Sequence, residues 1–144
     1  MRCLTFALLM LMPLSAQALL DTLTVSGNPA PMTINTATAG SQPNTVTNNS
    51  TSYSILTLLG GQRITGQLSA NMPSNTTLRV QLQAPPLGAV SQGLVTMTTT
   101  PTNLVTSIGI LALTTGLTIT YQFSATVNAA PVTNATVTLT LTLL

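Results

Sequence analysis

The chain has almost no charge. Of its 144 residues only Arg2, Asp21, Arg63 and Arg79 are charged, and Lys, Glu, His and Trp are absent. A typical soluble domain is about a quarter charged. General acid–base catalysis needs side chains that titrate near the working pH, and Asp21, Tyr53 and Tyr121 are the candidates left. A Ser or Thr nucleophile needs a base to activate it, so the sequence predicts no enzyme. Calcium sites draw on several carboxylates and zinc sites on His or Cys, so neither a metal nor a cofactor is expected. Each phosphate that a nucleic-acid binder neutralises needs its own cation, and two body arginines do not make such a surface. Asp21 falls close to the start of the exported chain, where chain ends are usually mobile.

The single cysteine, Cys3, falls in a segment that reads as an export signal. Arg2 supplies a positive start, residues 4–14 an apolar run, and Ala16-Gln17-Ala18 a small-x-small cleavage site. The run is about eleven residues long and contains Pro13, too short to span a bilayer. The expected division is therefore a signal peptide at 1–18, an N-terminal extension or first strand at 19–27, and one domain at 28–144. The mature chain would lack cysteine, hence disulfides, and would have no transmembrane segment. The expected localisation is secreted or cell-surface.

What fills the chain is threonine, 29 residues of it, within a composition that is 44% apolar. Low charge with high hydrophobicity is the opposite of a disordered composition. Apolar and polar residues alternate along 63–70, 77–84, 117–127 and 135–143, the period of half-buried strands. Shorter candidates are 22–25, 32–36, 52–58, 93–98 and 103–108. The turn cluster 71–75 suggests that 63–70 and 77–84 form a hairpin, with Leu68 opposite Leu78, Arg79 facing Gln67 and Arg63 facing Gln83. Further turns are marked at 27–29, Gly60-Gly61, Pro85-Pro86 and 114–116. Residues 104–117 read as a buried strand pair broken at Gly109, with a short helix over 108–113 as the alternative. The predicted fold is all-β: an Ig-like β-sandwich of about 8–9 short, mostly antiparallel strands, with a closed barrel as runner-up.

Both chain ends carry alternating strands. Near the start, Leu23 and Val25 alternate with small or polar residues and close on Gly27. At the other end Val137, Leu139 and Leu141 alternate with threonines. Such termini suit strand addition, in which main-chain hydrogen bonds join an extension to a sheet edge and alternate side chains fill a groove. In this layout the chain loosely resembles secreted fimbrial, pilin-like subunits of chaperone–usher systems. The shared features are the signal peptide, the short alternating N-terminal segment, the Thr-rich sandwich and the final strand of Thr-Val-Thr-Leu-Thr-Leu type at 136–141. The resemblance implies an incomplete sandwich completed by a neighbour's N-terminal segment. Leu23, Val25 and Gly27 would then be donor positions, and Val137, Leu139 and Leu141 would face the acceptor groove or core. Many members of that family carry a disulfide that this mature chain cannot form.

The expected function is thus a non-enzymatic, exported structural protein of a surface filament or extracellular matrix. Its partners would be further copies, other filament subunits or a periplasmic chaperone. Arg63 and Arg79 are candidates for surface contact with a subunit or an anionic glycan. The alternatives are a monomeric adhesion or glycan-binding sandwich and, through rows of threonine at two-residue spacing, an ice-binding protein. The Asn-x-Ser/Thr triplets at Asn48, Asn49, Asn75 and Asn134 are expected from composition alone.

Overall fold

A computed structural model describes residues 21–132 and 134–143, so the expected export signal at 1–18 lies outside the described residues. The described chain is all-β, with nine strands: β1 (Thr22–Val25), β2 (Val46–Thr57), β3 (Gln62–Leu68), β4 (Thr76–Leu82), β5 (Val90–Ser91), β6 (Val95–Thr96), β7 (Thr102–Ile108), β8 (Leu111–Ala125) and β9 (Val137–Leu143). They form two antiparallel sheets, ordered β1-β2-β8-β4-β6 and β5-β7-β3-β9. The sheets are open at their edges, so the architecture is a sandwich and not a closed barrel.

From β2 onward every connection changes sheet. This corrects the expected hairpin between 63–70 and 77–84. β3 pairs with β7 and β9, while β4 pairs with β6 and β8 on the opposite layer. The physical reason is that alternation marks an inward face without saying which neighbour lies beside it. Leu68 and Leu78 do both point into the core, but from facing sheets. The seven-residue connection 69–75 crosses between layers, a gap of about 10 Å, and turns at Asn75, whose φ is 66°.

The core follows the alternation. Ile55, Val80, Leu82 and Ile119 of the first sheet meet Ile64, Leu104, Val105 and Ile108 of the second, all fully buried. Each side chain of this size contributes about 1.5–3 kcal/mol by leaving water. Gly66 sits where the surrounding side chains leave no room for a Cβ. A Cβ there would stand 2.7 Å from Leu104 Cδ1 and 2.9 Å from Met97 Cε.

Other expectations shift at the edges of elements. Residues 32–36 form no strand, and the 93–98 candidate is shorter, reduced to Val95–Thr96. No helix forms over 108–113. The chain breaks at Gly109 as one alternative had it, and β8 begins at Leu111. Nor is 114–116 a turn. It lies inside β8, where Tyr53 pairs with Leu117 but Ile55 with Thr114, so β8 carries one extra residue. Gly116, at φ 73°, absorbs that bulge, a left-handed conformation that glycine adopts without a Cβ clash. At the other end β8 stops at Ala125, and Val127, expected on its inner face, is 66% exposed.

Gly66→Ala should lower stability by about 1–3 kcal/mol through overpacking. In denaturant titrations its loss and that of Leu104→Ala should be markedly non-additive, because the second substitution vacates the space that the new methyl needs. Additive losses would place the strain elsewhere.

Candidate functional site at the paired chain ends

The site is built by the two terminal strands. β1 runs antiparallel to β2, with Leu23 opposite Ile55 and Val25 opposite Tyr53. β9 runs antiparallel to β3, with Val137 opposite Leu68, Leu139 opposite Gly66 and Leu141 opposite Ile64. Each is the outermost strand of its sheet, so among the described residues each has one strand neighbour and one open side. In the single chain, then, both terminal strands pair within their own molecule.

β1 is held by few contacts. Leu23 packs partly against the core, Val25 is 43% exposed, and the strand is four residues long. Backbone bonding continues one step further, with Ser26 N donating to Ser52 O at 2.9 Å and Ser52 N donating to Ser26 Oγ at 2.9 Å. Gly27 then leaves the edge at φ 132°, a conformation that side chains rarely adopt. The other end of β1 is pinned by Asp21. Its carboxylate accepts a hydrogen bond from Leu58 N at 2.6 Å and another from Gln62 Nε2. Gln62 is itself buried. The expectation of a mobile chain end at Asp21 is therefore corrected. The one acid of the chain ties the first strand to the β2–β3 turn, and the only sequence signal for this was its solitude.

Between β1 and β9 lies a cleft of about 980 Å³. Leu23, Val25 and Gly27 line one wall and Val137 and Leu139 the other, while Leu78, Tyr121 and Phe123 also contribute to its lining. Five of the six residues expected to serve strand exchange thus border one space, and Leu141 lies further along β9 against the core. Sequence reasoning missed Met32 and Met72. Both line this cleft and pack on the core, and methionine side chains adapt readily to irregular apolar contacts. Among the described residues no charged side chain borders the space, and Asn28, Thr33, Asn134 and Thr136 share its lining with the apolar groups.

The arginines are not brought together. Arg63 on β3 is opposite Thr142, and Arg79 on β4 is opposite Gln122 and Thr96, so they occupy different sheets. Neither faces the glutamine expected for it. Of the aromatic residues, Tyr53 is fully buried and Tyr121 nearly so. Tyr53 donates its hydroxyl to Gln83 O, and burial pushes its ionisation above the ordinary tyrosine range. It therefore stays protonated and offers no general base near neutral pH. No cluster of three or more His, Cys, Asp or Glu residues occurs among the described residues. Asn48 takes part in a local structural role: its side-chain oxygen accepts bonds from Ser50 N at 2.9 Å and Ser50 Oγ at 2.8 Å, beside the bulge between Asn48 and Thr51.

No protein-family model matches the chain, and no curated protein or solved structure shows a significant match to it. The geometry alone therefore carries the functional reading.

Two outcomes follow. Asp21→Ala should cost about 1–3 kcal/mol, since it orphans a buried amide and a backbone donor, and should speed hydrogen exchange across β1. Asp21→Asn keeps one acceptor and should retain part of the protection; exchange unchanged in both variants would contradict the pinning role. For Tyr53, a pKa raised on folding means that the unfolded state releases its proton first. Its contribution is complete below about pH 10 and declines above it, by up to about 1.4 kcal/mol per pH unit. Tyr53→Phe should remove that part of the alkaline slope in pH-dependent unfolding.

Proposed function

We propose that this chain is a non-enzymatic, exported structural subunit of a surface filament or extracellular matrix, assembled by β-strand addition. One observation carries the reading: the first and last described strands are sheet edges that flank the same cleft, lined by apolar and uncharged polar residues. Charged residues normally guard such edges against edge-to-edge pairing, and β1 and β9 contain none.

In this mechanism the unit exchanged is β1 with the segment that follows it. The strand makes the same main-chain bonds and places Leu23 against the same core whether its edge belongs to its own chain or to a neighbour's. Exchange then replaces like contacts with like, as in domain swapping, and the free-energy difference is set by concentration and by strain at the hinge. Gly27 is the natural hinge because its backbone already departs from the strand there. The cleft accepts alternate side chains of a strand laid along either edge, the arrangement in which main-chain pairing supplies affinity and side-chain pockets supply selectivity. Partners of this kind include further copies, other filament subunits and a chaperone that covers the edge before assembly.

The exported protein should form filaments in negative-stain images and ladders in unheated gels. Deleting residues 19–27 should abolish both while strand-rich circular dichroism persists. Polymers that survive the deletion would contradict the proposal. Because almost nothing titrates between about pH 5 and 9, assembly should be constant over that range. It should also survive about 1 M salt, where charge interactions are screened within a few ångströms.

A further inference from the structure

The two donors that hold Asp21 are arranged as a socket. Leu58 N and Gln62 Nε2 both point at its carboxylate, one from the β2–β3 turn and one from the first residue of β3. Gln62 is only 2% exposed, and its Oε1 is buried without a hydrogen-bond partner among the described residues. The side-chain amide is thus committed to this one bond. A carboxylate only accepts, so it fixes which end of the amide faces it. Without that carboxylate a buried glutamine would keep no partner for its side chain, a costly state. Arg63, the next residue of β3, falls among the half-buried positions that alternate with the buried ones, so it faces away from Gln62. The socket reads an acid through two uncharged N–H groups.

What such a socket decides is register. The rest of β1 nearly repeats itself every two residues. Slid two places along β2, it would bring Thr22 opposite Ser54, Leu23 opposite Tyr53 and Thr24 opposite Ser52. An aliphatic side chain would still meet Tyr53. A hydroxyl would still meet Ser52, whose N–H now donates to Ser26 Oγ. Ladder hydrogen bonds do not distinguish these two registers, and burial of one face excludes only a slip of one residue. The connection to β2 does not choose between them either, because residues 26–45 form no strand and that length absorbs a shift of two. Asp21 breaks the degeneracy. A slip of two residues carries its carboxylate about 7 Å from both donors.

The same constraint says which strand this edge accepts. Asp21 is the only acid in the 144 residues. A second copy therefore offers one segment, in one alignment, that brings a carboxylate to Leu58 and Gln62 while Leu23 meets the core. We infer that Leu58 N and Gln62 Nε2 form a carboxylate socket that sets the register of the strand seated on β2. Resting on the strand-addition reading above, the socket also selects residues 21–25 of a second copy as the incoming strand.

Disulfide trapping in a Cys3→Ser background tests this. Thr24→Cys with Ser54→Cys reports the observed register, and Thr22→Cys with Ser54→Cys reports the slipped one. In the observed register Thr22 and Ser54 are diagonal neighbours, about 7–8 Å apart and beyond disulfide reach. With Asp21 present, the first pair should oxidise at least about tenfold faster than the second. Asp21→Ala and, separately, Gln62→Leu should bring that ratio toward one. A variant that is merely less stable changes both rates together, so the ratio separates register from stability, and circular dichroism shows which variants fold. The inference is overturned if the slipped pair oxidises as fast as the observed pair with Asp21 in place, or if either folded substitution leaves the ratio unchanged. Placing the two cysteines on different chains reads the same ratio across an exchanged strand, where a ratio near one would overturn the selection of residues 21–25. Absence of any disulfide between chains would overturn strand exchange and that selection with it, while the ratio within one chain decides the socket by itself.

Discussion

The two sheets must close on each other, and the rest of the molecule depends on that contact. The inner layer of Ile55, Val80, Leu82 and Ile119 against Ile64, Leu104, Val105 and Ile108 is fully buried. With almost no charge and no cysteine after Cys3, ion pairs and disulfides are not available to share the work. Because successive strands from β2 onward alternate between layers, neither sheet can assemble from local hairpins. Main-chain pairing and core closure are therefore one event, built from non-local contacts, the kind of topology that folds slowly. Slow folding leaves sheet edges unpaired for longer. On the strand-addition reading proposed above, such exposure is an opportunity as well as a hazard.

The same alternation explains what could be read from the residues and what could not. Period-two patterning identified the inward positions of β3, β4, β8 and β9, since a half-buried strand needs one apolar face whatever its neighbour. It could not assign partners. Leu68 and Leu78 look alike in sequence whether they lie side by side in one sheet or face each other across two, and only the crossing of residues 69–75 decides. The Gly116 bulge was mistaken for a turn because both require a left-handed residue. The Thr22–Val25 strand was legible from its alternation, but Asp21 beside it was not. A carboxylate that caps a turn across the sheet leaves no periodic trace. Within the candidate site, the walls of the cleft were visible in Leu23, Val25, Val137 and Leu139. Met32 and Met72 were not, because they lie in irregular segments outside the strands.

Scarcity of charge acts differently in different places. Along β1 and β9 it leaves edges unguarded. In the core it has no cost at all.

The central claim is that β1 of one chain seats on β2 of another, and the lack of cysteine in the expected mature chain permits a direct measurement. Thr24 and Ser54 are opposite each other across the β1–β2 pair. One preparation would carry Thr24→Cys and a second Ser54→Cys, and the two would be mixed during assembly and oxidised. Strand exchange predicts a disulfide joining the two different chains, retained when residues 19–27 are deleted from the Ser54→Cys chain, whose own β1 is then absent from that edge. Cross-links that form only when both cysteines are on the same chain would show that β1 never leaves its own sheet, and would contradict the claim.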